Sequence, residues 1–349
     1  MKTRLLVAAA VAVTAVGIGT AALADRPLDA ATGRAQAVRV KGPCSRPNPD
    51  VPSGPCGGVP VFGGCQILPP NNPWNQDISG LPVHTNSAGY LNRINSFNNN
   101  QAVPPVGGPN IWLDLGADYG IPWRVVPANQ PLVPITGYLY PVESDPGPYP
   151  FPLDQPTEGG EDRHAIVLQS GTCKLYELGG AERSANGWTA GVGSVFDMNT
   201  NSYRTEGHVS TDAAGLPIFP GLIKASEARA GRINHAIRMT VVRTQAGYVF
   251  PARHFASSST NPNDPPMGLR LRMKAGTDLS SFSGEARAIG EALKKYGAII
   301  ADHGPNWKLH GDRDPSWAGG NAYDITKLPS SVFEVVETGA VIRNCTRNC

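Results

Sequence analysis

The sequence predicts a β-rich α+β protein whose antiparallel sheets form a sandwich or barrel-like body, with one long helix near the C-terminus. Three observations carry this. Short apolar runs rich in β-branched and aromatic residues recur between Gly, Pro and Asn. The composition is turn-rich, with 40 Gly, 33 Pro and only 17% charged residues, yet 40% hydrophobic residues supply a sizeable core. A sustained helical stripe occurs only over Asp278 to Tyr296, where Phe282, Ala286, Ile289 and Leu293 share a face and Gly297 follows.

The first 24 residues have the layout of a cleavable signal peptide. Lys2 and Arg4 precede an apolar run from Leu5 to Leu23, and Ala22-Leu23-Ala24 offers small residues for cleavage before Asp25. The run is nearly long enough to be a retained anchor, but the cleavage site favours export. The expectation is a secreted, extracellular protein without membrane attachment after cleavage. Whole-chain charges are 30 basic against 28 acidic, and losing Lys2 and Arg4 leaves 28 against 28. A chain near neutrality, without a clustered basic block, lacks the footprint of a nucleic-acid binder. Six cysteines, Cys44, Cys56, Cys65, Cys173, Cys345 and Cys349, all follow the cleavage site and read as disulfide staples rather than metal ligands. Spacing does not fix their pairing. A tie from the N-terminal group to Cys345 or Cys349 would fasten both ends to one body.

Residues 25–64, including the Pro-rich run from Arg46 to Pro55, read as an arm or linker, and 65–349 as a single β-rich domain. Beyond the loop holding Trp74, residues 87–97 have helical spacing. Segments 111–115, 122–126 and 132–139 have the cadence of strands. The loop 141–160 is long and proline-rich, which suits a flap over a site. His164 to Gln169 and Cys173 to Leu178 form a predicted hairpin around Ser170-Gly171-Thr172. Alternation sets His164 on one face with Ile166 and Leu168, and Glu177 on one face with Leu175. An inward orientation of both would aim an imidazole and a carboxylate at the same interior. The run 179–224 is irregular and holds Trp188, Asp197, Tyr203, His208 and Asp212, and residues 225–230 make a helical turn or two. The clearest strand spans 233–242, with His235, Ile237, Met239 and Val241 opposite Arg238 and Thr240. Arg253 and His254 adjoin at a strand end. Residues 267–275 alternate as a half-exposed strand with a basic outer face, and 298–302 return as a strand. The polar loop after it, with His303, His310 and Asp312, suits the rim of a cleft.

No nucleophile elbow, zincin helix, phosphate loop or EF-hand pattern is present. Two constellations remain. The first is acid–base chemistry on a polysaccharide, with catalytic candidates His164, Glu177, Asp212, His235, Arg238 and His254. Trp188, Tyr203 and Arg253 are its candidates for binding substrate. A glycoside hydrolase needs a proton donor and a base or nucleophile across the scissile bond, and a polysaccharide lyase needs a base and a cation for the uronate. This chemistry requires no cofactor. The alternative is a first-row transition metal held by His164, His235, His254 and Glu177. Each candidate also has a plain role in turn capping or core hydrogen bonding.

The blocks Asp162-Arg-His-Ala-Ile-Val-Leu, Cys173-Lys-Leu-Tyr-Glu177, Asp212-Ala-Ala-Gly-Leu-Pro217, Ile233-Asn-His-Ala-Ile-Arg238 and Pro251-Ala-Arg-His254 resemble a group of uncharacterised secreted proteins from soil bacteria. The resemblance spans roughly residues 65 to 337 and implies one unit, without assigning a reaction. The expectation is a secreted carbohydrate-active protein, a hydrolase or lyase, whose partner is extracellular polysaccharide. A non-catalytic carbohydrate-binding or envelope-associated structural protein is the alternative.

Overall fold

The computed structural model describes residues 58–97 and 109–343. The predicted signal segment, residues 25–57 of the arm, and Cys44, Cys56, Cys345 and Cys349 lie outside them. Among the described residues the chain is β-rich, with four sheets and four α-helices. No helix there is long and apolar enough to cross a membrane.

The described chain opens as a hairpin of β1 (Val61–Phe62) and β2 (Cys65–Gln66), reversed by Gly63 and Gly64 at positive φ. Cys65, the expected start of the folded body, is the first residue of the second strand of this hairpin. Phe62 packs edge-on against Trp123 and Phe219, at 5.3 and 5.6 Å between ring centres. Helix α1 (Ser87–Ser96) buries Tyr90 and Ile94 on one side. Then come β3 (Trp112–Asp114), α2 (Gly116–Tyr119), β4 (Trp123–Val126) and β5 (Ile135–Thr136). The expected hairpin forms from β6 (Ala165–Gln169) and β7 (Lys174–Gly179), with Gly171 and Cys173 at positive φ in its turn. After β8 (Glu182–Arg183), β9 (Trp188–Thr189), β10 (Val192–Asp197) and α3 (Ala225–Arg229) comes β11 (Ile237–Val241). The chain continues through β12 (Arg270–Met273), α4 (Gly284–Lys295), β13 (Ala298–His303), β14 (Lys308–His310) and β15 (Phe333–Val335).

The largest sheet runs β15-β12-β13-β11-β14-β3, and a four-stranded sheet runs β10-β7-β6-β4. Both are mixed rather than antiparallel, because β11/β13, β14/β3 and β4/β6 pair in parallel. Among the described residues no sheet closes into a barrel. Pairing of β11 with β13 slips by one residue. Met239 faces Ile300 but Thr240 faces Asp302, so Ala301 is the extra residue of a bulge.

Alternation along β6, β7 and β10 sends Ile166, Leu168, Leu175 and Phe196 into a large core shared with the six-stranded sheet. Val167 and Leu178 face the other way, into a second cluster with Tyr149, Phe151 and Trp188. Both faces of the four-stranded sheet are thus covered, which is why β6 is buried throughout.

Two local expectations change. The helical stripe over 278–296 yields a helix of 12 residues, because Asp278 folds its first part into a turn by accepting from Ser280 N–H and Oγ–H. Gly297, at positive φ, ends it. The basic face of β12 is not open to solvent either. Arg270 is buried and donates to the Tyr296 carbonyl at the end of α4, at 2.8 and 3.1 Å, where the helix dipole favours a cation. The described disulfide joins Cys65 to Cys173 and so ties the β1–β2 hairpin to the β6–β7 turn. Cys65 is not tied to Cys345 or Cys349.

Candidate functional site

The central strands of the six-stranded sheet divide their side chains by chemistry. Register places Met239 beside Ile300 and Leu309, and Leu309 beside Leu113, all in the apolar core. The alternate residues face the other way. Thr240 is flanked by Asp302 on β13 and Lys308 on β14, Lys308 is flanked by Trp112 on β3, and His310 by Asp114. Arg238 belongs to this second face, two residues before Thr240. The bulge at Ala301 is what turns Asp302 toward it, since two residues of β13 answer one step of β11.

Arg238 is sealed between two carboxylates. Its Nε lies 2.8 Å from each oxygen of Asp212, a second nitrogen also bonds Asp212, and Nη2 reaches Asp302 Oδ2 at 3.4 Å. This fork geometry suits guanidinium and not ammonium. Burial pushes the Asp212 carboxyl up to about 7, against the pull of Arg238. Asp302 is raised for the same reason, again against the pull of Arg238. Beside them, burial draws the His164 imidazole down. The bond and charge of Glu158 more than offset this and lift it to about 9, so it is held as imidazolium. His164 Nε2 donates to the Thr211 carbonyl at 3.2 Å. Glu158 would be raised by burial, but its bond and charge contact with His164 hold it below the ordinary carboxylate range. His310, sealed and near Arg238, Lys308 and His164, is depressed far below the ordinary imidazole value and stays neutral. Its Nδ1 has no hydrogen-bond partner among the described residues.

The cluster meets solvent at one end. Side chains of Asp302, Lys308 and Asp114 are 24%, 19% and 13% exposed, while Asp212 is closed off. Lys308 Nζ donates to Asp114 Oδ2 at 2.9 Å, and burial raises the Asp114 carboxyl despite that contact.

Of the residues expected from sequence, the fold brings together His164, Glu177, Asp212 and Arg238. Glu177 stands behind the others. Burial raises it to about 7, and its oxygens accept from Thr211 Oγ1–H and the Ile218 and Phe219 N–H groups at 2.9 to 3.1 Å. It anchors the loop that carries Asp212. His254 touches that loop too, with Nδ1 donating to the Ala213 carbonyl at 2.7 Å. His235 belongs elsewhere, bonded to Glu227 at 3.1 Å and to the Ala236 carbonyl at 2.7 Å, beside buried Lys224. Trp188 is buried in the second core against Phe151 and presents no face to a sugar, which corrects its expected stacking role. Tyr203 is half-buried, edge-on to exposed Phe250 at 4.9 Å, and Arg253 Nε donates to the Arg204 carbonyl at 3.2 Å. The four ligands of the metal alternative are thus engaged with different partners, and no metal-holding group of His, Cys, Asp or Glu occurs among the described residues.

Glu158, Asp114, Asp302, Lys308 and His310 complete the cluster without having been singled out as reacting groups. Asp114 and His310 sit on three-residue strands too short for alternation to register, and Asp302 is aimed by a bulge that no periodicity announces. No family model matches the chain, and no curated protein or solved structure is similar to it, so the site rests on its own geometry.

Proposed function

We propose that the chain is an exported enzyme that cleaves glycosidic bonds of extracellular polysaccharide, with Asp302 as proton donor and Asp114 as the opposing carboxylate. The carrying observation is that one sheet face presents these two partly exposed carboxylates on either side of Lys308, backed by Arg238, Asp212 and His164. Burial raises the Asp302 carboxyl above its ordinary range, against the pull of Arg238, and that is the direction a general acid requires. The two stand on strands three places apart in the sheet, roughly 15 Å at the backbone. An inverting hydrolase works with its carboxyl groups about 6.5–9.5 Å apart, so this reading requires both side chains to lean inward over Thr240 and Lys308. The lyase version is less favoured, because Arg238 is already saturated by carboxylates and Arg253 lies on another loop. The two larger sheets share one core, which supports a sandwich-like stacking with the reacting face at one side.

The test is incubation of the purified protein with plant, fungal and bacterial wall polysaccharides, assayed for new reducing ends and for ultraviolet-absorbing unsaturated ends. Reducing ends without unsaturation are expected. Asp302→Asn should lower kcat by about 10²- to 10⁴-fold with little change in stability. Wild-type turnover in that variant would remove Asp302 from the mechanism.

A further inference from the structure

The charges of this face and the aromatic rings at its edge bear on which polysaccharide it takes. Every cation in the cluster already faces a carboxylate: Lys308 with Asp114, Arg238 with Asp212 and Asp302, and His164 with Glu158. Four carboxyl groups share these three cations, so none is left to bind an anion, whether or not Asp302 carries its proton. A uronic-acid chain would have to approach Asp302 and Asp114 without a cation to offset its own charge, and like charges placed together there are repulsive.

The edge strand β3 supplies a different kind of contact. Trp112 is the cross-strand neighbour of Lys308 and two residues from Asp114, so it stands on the same face as the carboxylates. It is 46% exposed although it lies in a sheet, where a tryptophan of this size is ordinarily covered. Tyr323 comes to the same end. It is 50% exposed, its hydroxyl donates to the Leu115 carbonyl at 3.4 Å, and it lies close enough to Asp114 to be raised by that charge, after the larger effect of burial. Two open aromatic rings beside an acidic, hydrogen-bonding floor form a surface for the apolar face of a sugar ring.

We propose that Trp112 and Tyr323 form a sugar-stacking subsite at the β3 edge of the sheet, and that the substrate of this face is an uncharged polysaccharide. The proposal rests on the enzymatic reading above but is separable from it, because stacking is read as binding. The subsite holds a sugar unit on the Asp114 side of the scissile bond and leaves Asp302 facing the bond itself. Trp112 and Tyr323 act on affinity, not on proton transfer.

The experiment uses the full chain in parallel co-sedimentation and cleavage assays on insoluble neutral glucan, xylan, arabinan and mannan, with polygalacturonate and alginate as the charged arm. Trp112→Ala and Tyr323→Ala are compared with Tyr140→Ala, an exposed tyrosine on the loop beside β9. At least one neutral polysaccharide should be bound and cut. Trp112→Ala should raise KM about 10-fold or more with kcat within about 2-fold, and Tyr140→Ala should match the parent. Preference for the uronans, or a Trp112→Ala protein indistinguishable from the parent, overturns the subsite while leaving the hydrolase reading intact. Binding of neutral polysaccharide through Trp112 without any cleavage supports the subsite and overturns the hydrolase. Neither binding nor cleavage on any polysaccharide ends both.

Discussion

At Glu177, three donors converge on one sealed carboxylate, and removing it leaves the Thr211 hydroxyl and two backbone N–H groups unsatisfied inside the protein. Each such group costs about 1–3 kcal/mol, so Glu177→Ala should destabilise the fold by at least about 3 kcal/mol in urea titration. The folded fraction should keep its kcat, which a catalytic Glu177 would not permit. His164 makes a second test at this scale. Its imidazole should titrate at about 9 by NMR in the parent and fall to the ordinary 6.5 or below in Glu158→Gln, because burial then acts unopposed. The sequence marks His164, Glu177 and Arg238 because each stands in or beside a strand of five residues or more, where alternation declares a face. It is silent on Glu158, which lies in an irregular loop and meets His164 only through folding.

Among the elements, the β1–β2 hairpin is held by few hydrogen bonds of its own and depends on the Cys65–Cys173 bridge and the Phe62 ring. The bridge closes a loop of 108 residues, for which chain entropy gives about 4–5 kcal/mol as an upper figure. Cys173→Ser should lower the unfolding free energy by up to that amount, and protease should then cut the hairpin before the body. The loop 141–160, whose length suits a flap, is tied down at several points. Tyr149 is in the second core, Asp145 accepts from Val195 N–H at 2.7 Å, and Glu158 N–H donates to the His164 carbonyl at 2.8 Å. Length and proline content alone do not distinguish a pinned loop from a moving one. The parallel pairings were equally hidden, because antiparallel and parallel strands of two to six residues read alike when their connections are irregular.

For the whole molecule, buried ionisable groups set the direction in which pH acts. Glu177 and Asp212, raised to about 7 by burial, favour the folded state fully below their ordinary values of 4.5 and 3.8 and lose that contribution as pH rises through 7. His164 contributes fully below 6.5 and loses its share as pH passes about 9. Glu158 and Glu227 are lowered by their histidine partners, after the opposing effect of burial, and contribute above 4.5, losing this as pH falls. Thermal unfolding should therefore show its highest Tm on the mildly acidic side, with a decline from about pH 5 to about pH 9. A Tm that rises over that interval would contradict these assignments.

The bulge at Ala301 makes the reading frame of β13 as consequential as its composition. Were Ala301 to pair with Thr240 instead of bulging out, Asp302 would pair with Val241 and swing to the opposite side of the ladder, among Met239 and Leu309. Every reacting side chain would still be encoded, yet Arg238 would lose one of its two anions. A change of strand register could thus silence or restore this chemistry with no reacting residue replaced.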